Sequence, residues 1–103
     1  MSLWVLVALA IEPCHVYGIE GRIYGLSLAE VIPARSSIRR ALASLEARGL
    51  VEVASTQSGK ASGNARRLYG LTESGWRDLE TERRRLGYEL RALDTALVQR
   101  LIA

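Results

Sequence analysis

The chain has 103 residues, with 14 Lys and Arg against 11 Asp and Glu, one Cys and one His. That length holds one small domain, and a lone cysteine excludes an intramolecular disulfide and fits a reducing compartment. One His and one Cys fall short of a metal site by ligand count, so neither a metal nor a cofactor is expected.

The net charge of +3 is unevenly placed. Residues 1–33 hold Arg22 against Glu12, Glu20 and Glu30. Residues 34–67 hold Arg35, Arg39, Arg40, Arg48, Lys60, Arg66 and Arg67 against only Glu46 and Glu52. Residues 68–103 balance six arginines with six acids. A polyanion responds to such local charge more than to the total.

Residues 3–11, LWVLVALAI, read as a helix apolar on every side, which belongs in an interior. The run is too short to span a bilayer. A signal peptide would begin with positive charge, yet the first basic residue is Arg22. A buried first helix of a cytoplasmic protein is therefore expected. Pro13 ends it, because proline disfavours helical geometry in the residue before it.

Residues 15–26 place Val16, Ile19, Ile23 and Leu26 on one helical stripe. Gly18, Gly21 and Gly25 weaken that helix and suggest the close approach of another backbone. Leu28 to Pro33 reads as a turn. A third helix is expected from Ser36 as N-cap, with Ile38, Ala41, Leu42 and Leu45 inward. Ser36, Arg40, Ala43 and Ala47 then lie outward, flanked by Ser37 and Arg39. Gly49 supplies the stop.

Leu50, Val51 and Val53 begin a strand, Ser55 to Asn64 reads as a loop, and Arg66 to Leu71 reads as the return strand. Thr72 caps a last helix, without the Glu at N3 that would complete a capping box, since Gly75 stands there. From Glu73 the chain reads helical almost to its end. Leu79, Leu86, Leu90, Leu93 and Leu97 form a heptad seam with Arg83 in its one polar position. So long a helix has no internal partner of matching length, and its seam is expected to pack against a second copy. The remaining compact part, about 70 residues, is marginal alone, which points the same way. Arg83, Arg84 and Arg85 are offset by Glu80, Glu82 and Glu89 and read mainly as pairing on the helix surface.

This order of elements describes a mainly α (α+β) winged helix-turn-helix: three helices and a two-stranded wing, followed by a long C-terminal helix. The chain resembles the PadR family of bacterial transcriptional regulators, in its short form with one C-terminal helix. LWVLVALA is similar to the family's opening helix. PCHVYGIEGRI is similar to its P-x-H-x-Y-x-I helix through Pro13, His15, Tyr17 and Ile19. SSIRRALASLEARGLV is similar to its recognition helix through Ser37, Ile38, Leu42, Leu45, Glu46, Gly49 and Leu50. RRLYGLTESG is similar to the end of its wing through Arg66, Arg67, Tyr69, Leu71, Thr72 and Gly75. Two departures stand out. Arg39 replaces a usual aromatic, and Arg35 and Ser36 stand where the family has a Pro-Gly pair.

The expected function is that of a homodimeric, sequence-specific DNA-binding repressor. Residues 1–72 would form the DNA-binding domain and residues 73–103 the dimerisation helix. Arg40 is the candidate for a guanine edge in the major groove, with Arg35, Ser36, Ser37 and Arg39 on phosphates. Lys60, Arg66 and Arg67 would place the wing along the backbone or in the minor groove of double-stranded DNA. Two copies would read a pseudo-palindromic operator. The resemblance further implies that some relatives bind small hydrophobic molecules at the dimer interface, and Trp4, Trp76 and Tyr88 are candidates to line such a pocket as an inducer site. Tyr17 and Tyr69 are expected in the core rather than at contacts. A winged-helix module that binds an acidic protein partner stays open as an alternative. No nucleophile–base set, acid pair or phosphate loop speaks for an enzyme.

Overall fold

The computed structural model describes residues 1–58 and 65–102. In chain order it runs α1 (Ser2–Ile11), α2 (Val16–Leu26), α3 (Arg35–Ala47), β1 (Val51–Ser58), β2 (Ala65–Leu71) and α4 (Glu73–Ile102). This is a mainly helical winged helix-turn-helix with a long C-terminal helix, as the sequence implied. β1 runs to Ser58, so residues 55–58, expected in a loop, are strand. Residues 59–64, including Lys60, Gly59 and Gly63, lie outside the described residues.

The core is built where the three helices and the hairpin meet. Val5, Leu6, Ala8 and Leu9 of α1 pack with Ile19 and Ile23 of α2, with Ile38, Ala41, Leu42 and Leu45 of α3, and with Leu50 and Val51. The helical stripes read from the sequence supply most of this set. Leu26 is the exception: it is exposed, because the chain turns away at the end of α2. The α2 glycines are also not a contact face. A Cβ at Gly21 or Gly25 would meet nothing within 4 Å, and only Gly18 is crowded, by the Cβ of Cys14 at 3.1 Å.

His15 is the N-cap of α2, where its Nδ1 accepts the Gly18 N–H at 3.2 Å. Arg22 closes the other end of the α1–α2 corner. It donates to the carbonyls of Ala8 (2.8 Å) and Glu12 (3.0 Å) and to the Glu12 carboxylate (2.8 Å). These carbonyls belong to the last turn of α1 and its cap, which have no partner inside the helix. Burial pushes the Cys14 thiol up, against the lowering effect of Arg22. Cys14 exchanges both backbone hydrogen bonds with Tyr69, so a single antiparallel bridge ties the link between α1 and α2 to β2 of the hairpin.

α3 begins one residue earlier than its expected cap. Ala34 is the N-cap, with no side-chain bond, and Ser36 lies inside the first turn. The helix ends in a Schellman motif: Gly49 N–H bonds to the Glu46 carbonyl, and Leu50 N–H bonds to the Leu45 carbonyl. Gly49 has φ +73°, the left-handed geometry this motif needs. The hairpin pairs Val51 with Leu71 and Val53 with Tyr69, and after a bulge at Ala54 pairs Thr56 with Arg67.

α4 is fixed at its start. Thr72 Oγ1 accepts the Gly75 N–H at 3.0 Å and donates to the Gly49 carbonyl at 2.6 Å, while Thr72 N–H bonds to the Leu50 carbonyl at 3.1 Å. Beyond Leu79 the helix leaves the core. Leu90, Leu93 and Leu97 are each 61 % exposed and Leu86 is 39 % exposed, whereas Leu79, expected in the same seam, packs against the core of its own chain. Arg85 pairs with both Glu82 and Glu89. Arg83 and Arg84 make no ion pair within 4 Å among the described residues, so only part of that cluster is internal pairing.

Candidate nucleic-acid interface

The outward face of α3 is composed of small and basic residues. Ser36, Arg39, Arg40, Ala43 and Ala47 are exposed, and Ser37 is half-buried. Alanine and serine add little bulk, so the helix can approach a concave surface closely. Among the described residues, Arg40 makes only a long contact from Nε to the Ser36 carbonyl, at 3.5 Å. Neither Arg39 nor Arg40 has a carboxylate within 4 Å among the described residues, which leaves both guanidiniums available to an anion. On the wing, Arg67 is exposed opposite Thr56, and Arg66 contributes its backbone to β2 opposite Gln57.

Arg35 is placed differently. It sits in the first turn of α3, but its Nε donates to Glu20 of α2 at 2.9 Å, and its guanidinium lies 4.3 Å from the centre of the Tyr17 ring. The Glu20 hydrogen bond holds the Arg35 pKa above its already high value. Tyr17 is half-exposed and belongs to this contact rather than to the core, whereas Tyr69 packs against the core. Sequence reading missed Glu20. Its partner lies fifteen residues on, and only the helix-turn-helix corner brings the two together.

A second surface runs between α1 and α4. An apolar groove of about 720 Å³ is lined by Leu3, Val7, Trp76, Leu79, Leu86 and Leu90, with Arg77, Glu80 and Arg83 at its polar edges. Of the three aromatics expected together, only Trp76 lines it. Trp4 is partly buried against the core, and Tyr88 borders a separate depression with Arg83, Arg84 and Arg91.

The family model described as "Transcriptional regulator PadR-like family" matches residues 5–81, which spans all three helices, the wing and the start of α4. The chain belongs to the PadR-like family of transcriptional regulators. Solved structures agree on the fold. A PadR family transcription regulator from Clostridium difficile is 20 % identical with a TM-score of 0.76, covering 93 % of this chain and 96 % of that one. A transcriptional regulator from Clostridium thermocellum is 16 % identical with a TM-score of 0.76, covering 91 % and 86 %. A PadR-like regulator from Bacillus cereus is 20 % identical with a TM-score of 0.72, covering 93 % and 89 %. No curated protein matches the chain. As a PadR-like protein it is a transcriptional regulator, and among the described residues no helix is long and apolar enough to cross a membrane.

Proposed function

We propose that this PadR-like regulator is a cytoplasmic, homodimeric repressor that binds double-stranded DNA through α3 and the wing. The observation that carries the reading is the outward face of α3, where Arg39 and Arg40 stand among serines and alanines with no carboxylate within 4 Å among the described residues. A major groove accepts one helix, and arginine can meet guanine with two hydrogen bonds. Arg40 is the base-reading residue in this account. Ser36, Ser37 and Arg39 hold phosphates, as do Lys60, Arg66 and Arg67 on the wing. The exposed leucines of α4 join two copies, so that two α3 helices meet half-sites about one helical turn apart. The absence of large apolar anchors on α3 weighs against a protein-binding module, because protein hot spots favour residues such as Trp and Tyr. The groove beside Trp76 is the proposed inducer site for a small hydrophobic molecule. Saturable quenching of Trp fluorescence by aromatic compounds, lost in Trp76→Leu, would support it, and no saturable change would remove it.

The deciding experiment is fluorescence anisotropy on a duplex from upstream of the protein's own gene and on a scrambled duplex, across several salt concentrations. Tight binding to the first alone, at one dimer per site, is the expected result. Equal, weak and steeply salt-dependent binding to both would mean phosphate contacts only and would refute sequence-specific recognition at that duplex.

A further inference from the structure

Arg35 and Arg39 lie four residues apart and so share one edge of α3, but they meet different surroundings. Arg39 is open to solvent, whereas Arg35 is held by the Glu20 carboxylate at 2.9 Å and by the face of Tyr17. Tyr17, Glu20, Gly21, Tyr24, Pro33 and Arg35 line a shallow depression where α2 meets the turn before α3. In helix-turn-helix domains the helix preceding the recognition helix crosses the DNA backbone. Glu20 therefore carries negative charge to the place where phosphates pass, and among the described residues the cation bonded to it is one of α3's own. The Arg35 side chain is 52 % exposed and that of Glu20 is 35 % exposed. Their bond can exchange with solvent anions by side-chain rotation, without unfolding.

We propose that Glu20 competes with the DNA backbone for Arg35. In the free protein the carboxylate and the Tyr17 ring hold the guanidinium, and on a duplex a phosphate must displace them. This inference rests on the DNA-binding reading above. It makes Glu20 a positioning residue that sets affinity without reading sequence, since phosphate contacts carry no base information. An exposed ion pair is weak, so the competition is close to balance, and one substitution at Glu20 is enough to shift it.

The test compares wild type, Glu20→Gln, Arg35→Gln and the double variant by anisotropy on operator and scrambled duplexes, between about 50 and 200 mM salt. Melting curves accompany each protein to show that it is folded. Glu20→Gln is expected to tighten binding to both duplexes by the same factor, about two- to fivefold, the scale of an exposed ion pair. It should also steepen the plot of log affinity against log salt by about 0.9, the slope of one added phosphate contact. Arg35→Gln should remove that added slope in the Glu20→Gln background and remove less than half as much in the wild-type background. Equal loss in both backgrounds would mean that Arg35 reaches phosphate despite Glu20, and no loss in either would mean that it never does. Weaker binding by Glu20→Gln would make the pair a structural clamp. Each of these results overturns the inference while leaving DNA binding intact. A wild type that binds no duplex at the lowest salt overturns the DNA-binding reading and the inference with it.

Discussion

Gly75→Ala should be one of the most damaging single-methyl changes in this chain. A Cβ built at Gly75 would overlap the Leu50 carbonyl oxygen and lie 3.1 Å from its carbon. That carbonyl has little room to retreat. It accepts the Thr72 N–H at 3.1 Å, and the adjacent Gly49 carbonyl accepts Thr72 Oγ1 at 2.6 Å. Alanine gains up to about 1 kcal/mol in helix propensity over glycine. Against this stand overpacking of about 1–3 kcal/mol and roughly 1 kcal/mol for each strained hydrogen bond. The net expectation is a loss of about 2 kcal/mol, which for a domain of this size lowers the melting temperature by on the order of 10 °C. Gly21→Ala is the matched control. It lies inside α2, where an added Cβ would meet nothing within 4 Å, and should stabilise the protein slightly. Urea titrations followed by circular dichroism would measure both. If Gly75→Ala were as stable as wild type, the glycine would not be there to admit the Leu50 carbonyl, and the packing account of this joint would be wrong.

Leu28 sits at φ 53° just past α2, in a second Schellman motif whose bonds run from Leu28 to Gly25 and from Ala29 to Tyr24. The left-handed geometry costs a non-glycine residue about 1–2 kcal/mol, and the side chain is 86 % exposed. Leu28→Gly should therefore raise stability by roughly 0.5–1 kcal/mol after the entropy of glycine is counted; a fall in the urea midpoint would contradict this. Arg40→Ala should weaken operator binding by about 1–3 kcal/mol and relax base choice at one position, and unchanged binding would show that α3 docks in another orientation. Leu93→Glu puts a charge into the exposed seam of α4. Analytical ultracentrifugation should show a dimer for wild type and a folded monomer for the variant, whereas two equal sedimentation profiles would remove the seam as the interface.

The elements were legible in the sequence because their signals are local. Ile38, Leu42 and Leu45 recur at helical spacing, Gly49 stops the helix that carries them, and Thr72 caps the next; each works through neighbours within a few residues. What escaped the sequence depends on elements that meet in space. Arg22 reads as one basic residue on a glycine-rich helix, and only the corner between α1 and α2 turns it into a cap for α1. Gly75 reads as an absent capping-box acid, although its role is to admit a carbonyl from the end of α3. Arg35 reads as one more basic residue for DNA until Glu20 and Tyr17 are found beside it. The α2 glycines misled in the opposite direction, since composition suggested a packed face where Gly21 and Gly25 meet open space. Of the candidate interface, sequence reading supplied the exposed face of α3, and it missed the acid that shares the α2–α3 corner.

The joint between α3 and α4 has a consequence for operator geometry. The end of α3, the start of β1 and the cap of α4 are tied through Gly49, Leu50, Thr72 and Gly75 by hydrogen bonds of 2.6–3.1 Å. If α4 joins two copies, it carries each α3 with it, because Thr72 at the start of α4 bonds directly to the Gly49 and Leu50 carbonyls at the end of α3. The distance and the rotation between the two α3 helices are then set by how two α4 helices cross. Duplex DNA repeats about every 10.5 base pairs, so about five inserted base pairs between half-sites turn one of them to the far side of the duplex. A rigid joint cannot follow, and affinity for that duplex should fall to the level of a single half-site, whereas inserting a full turn should restore the facing though not the distance. Two glycines inserted between Leu71 and Thr72 would loosen the joint and should narrow the difference between the native and the five-base-pair spacing. Equal affinity of the unaltered protein for both spacings would show that α3 moves independently of α4, and the ties around Thr72 would then serve folding alone.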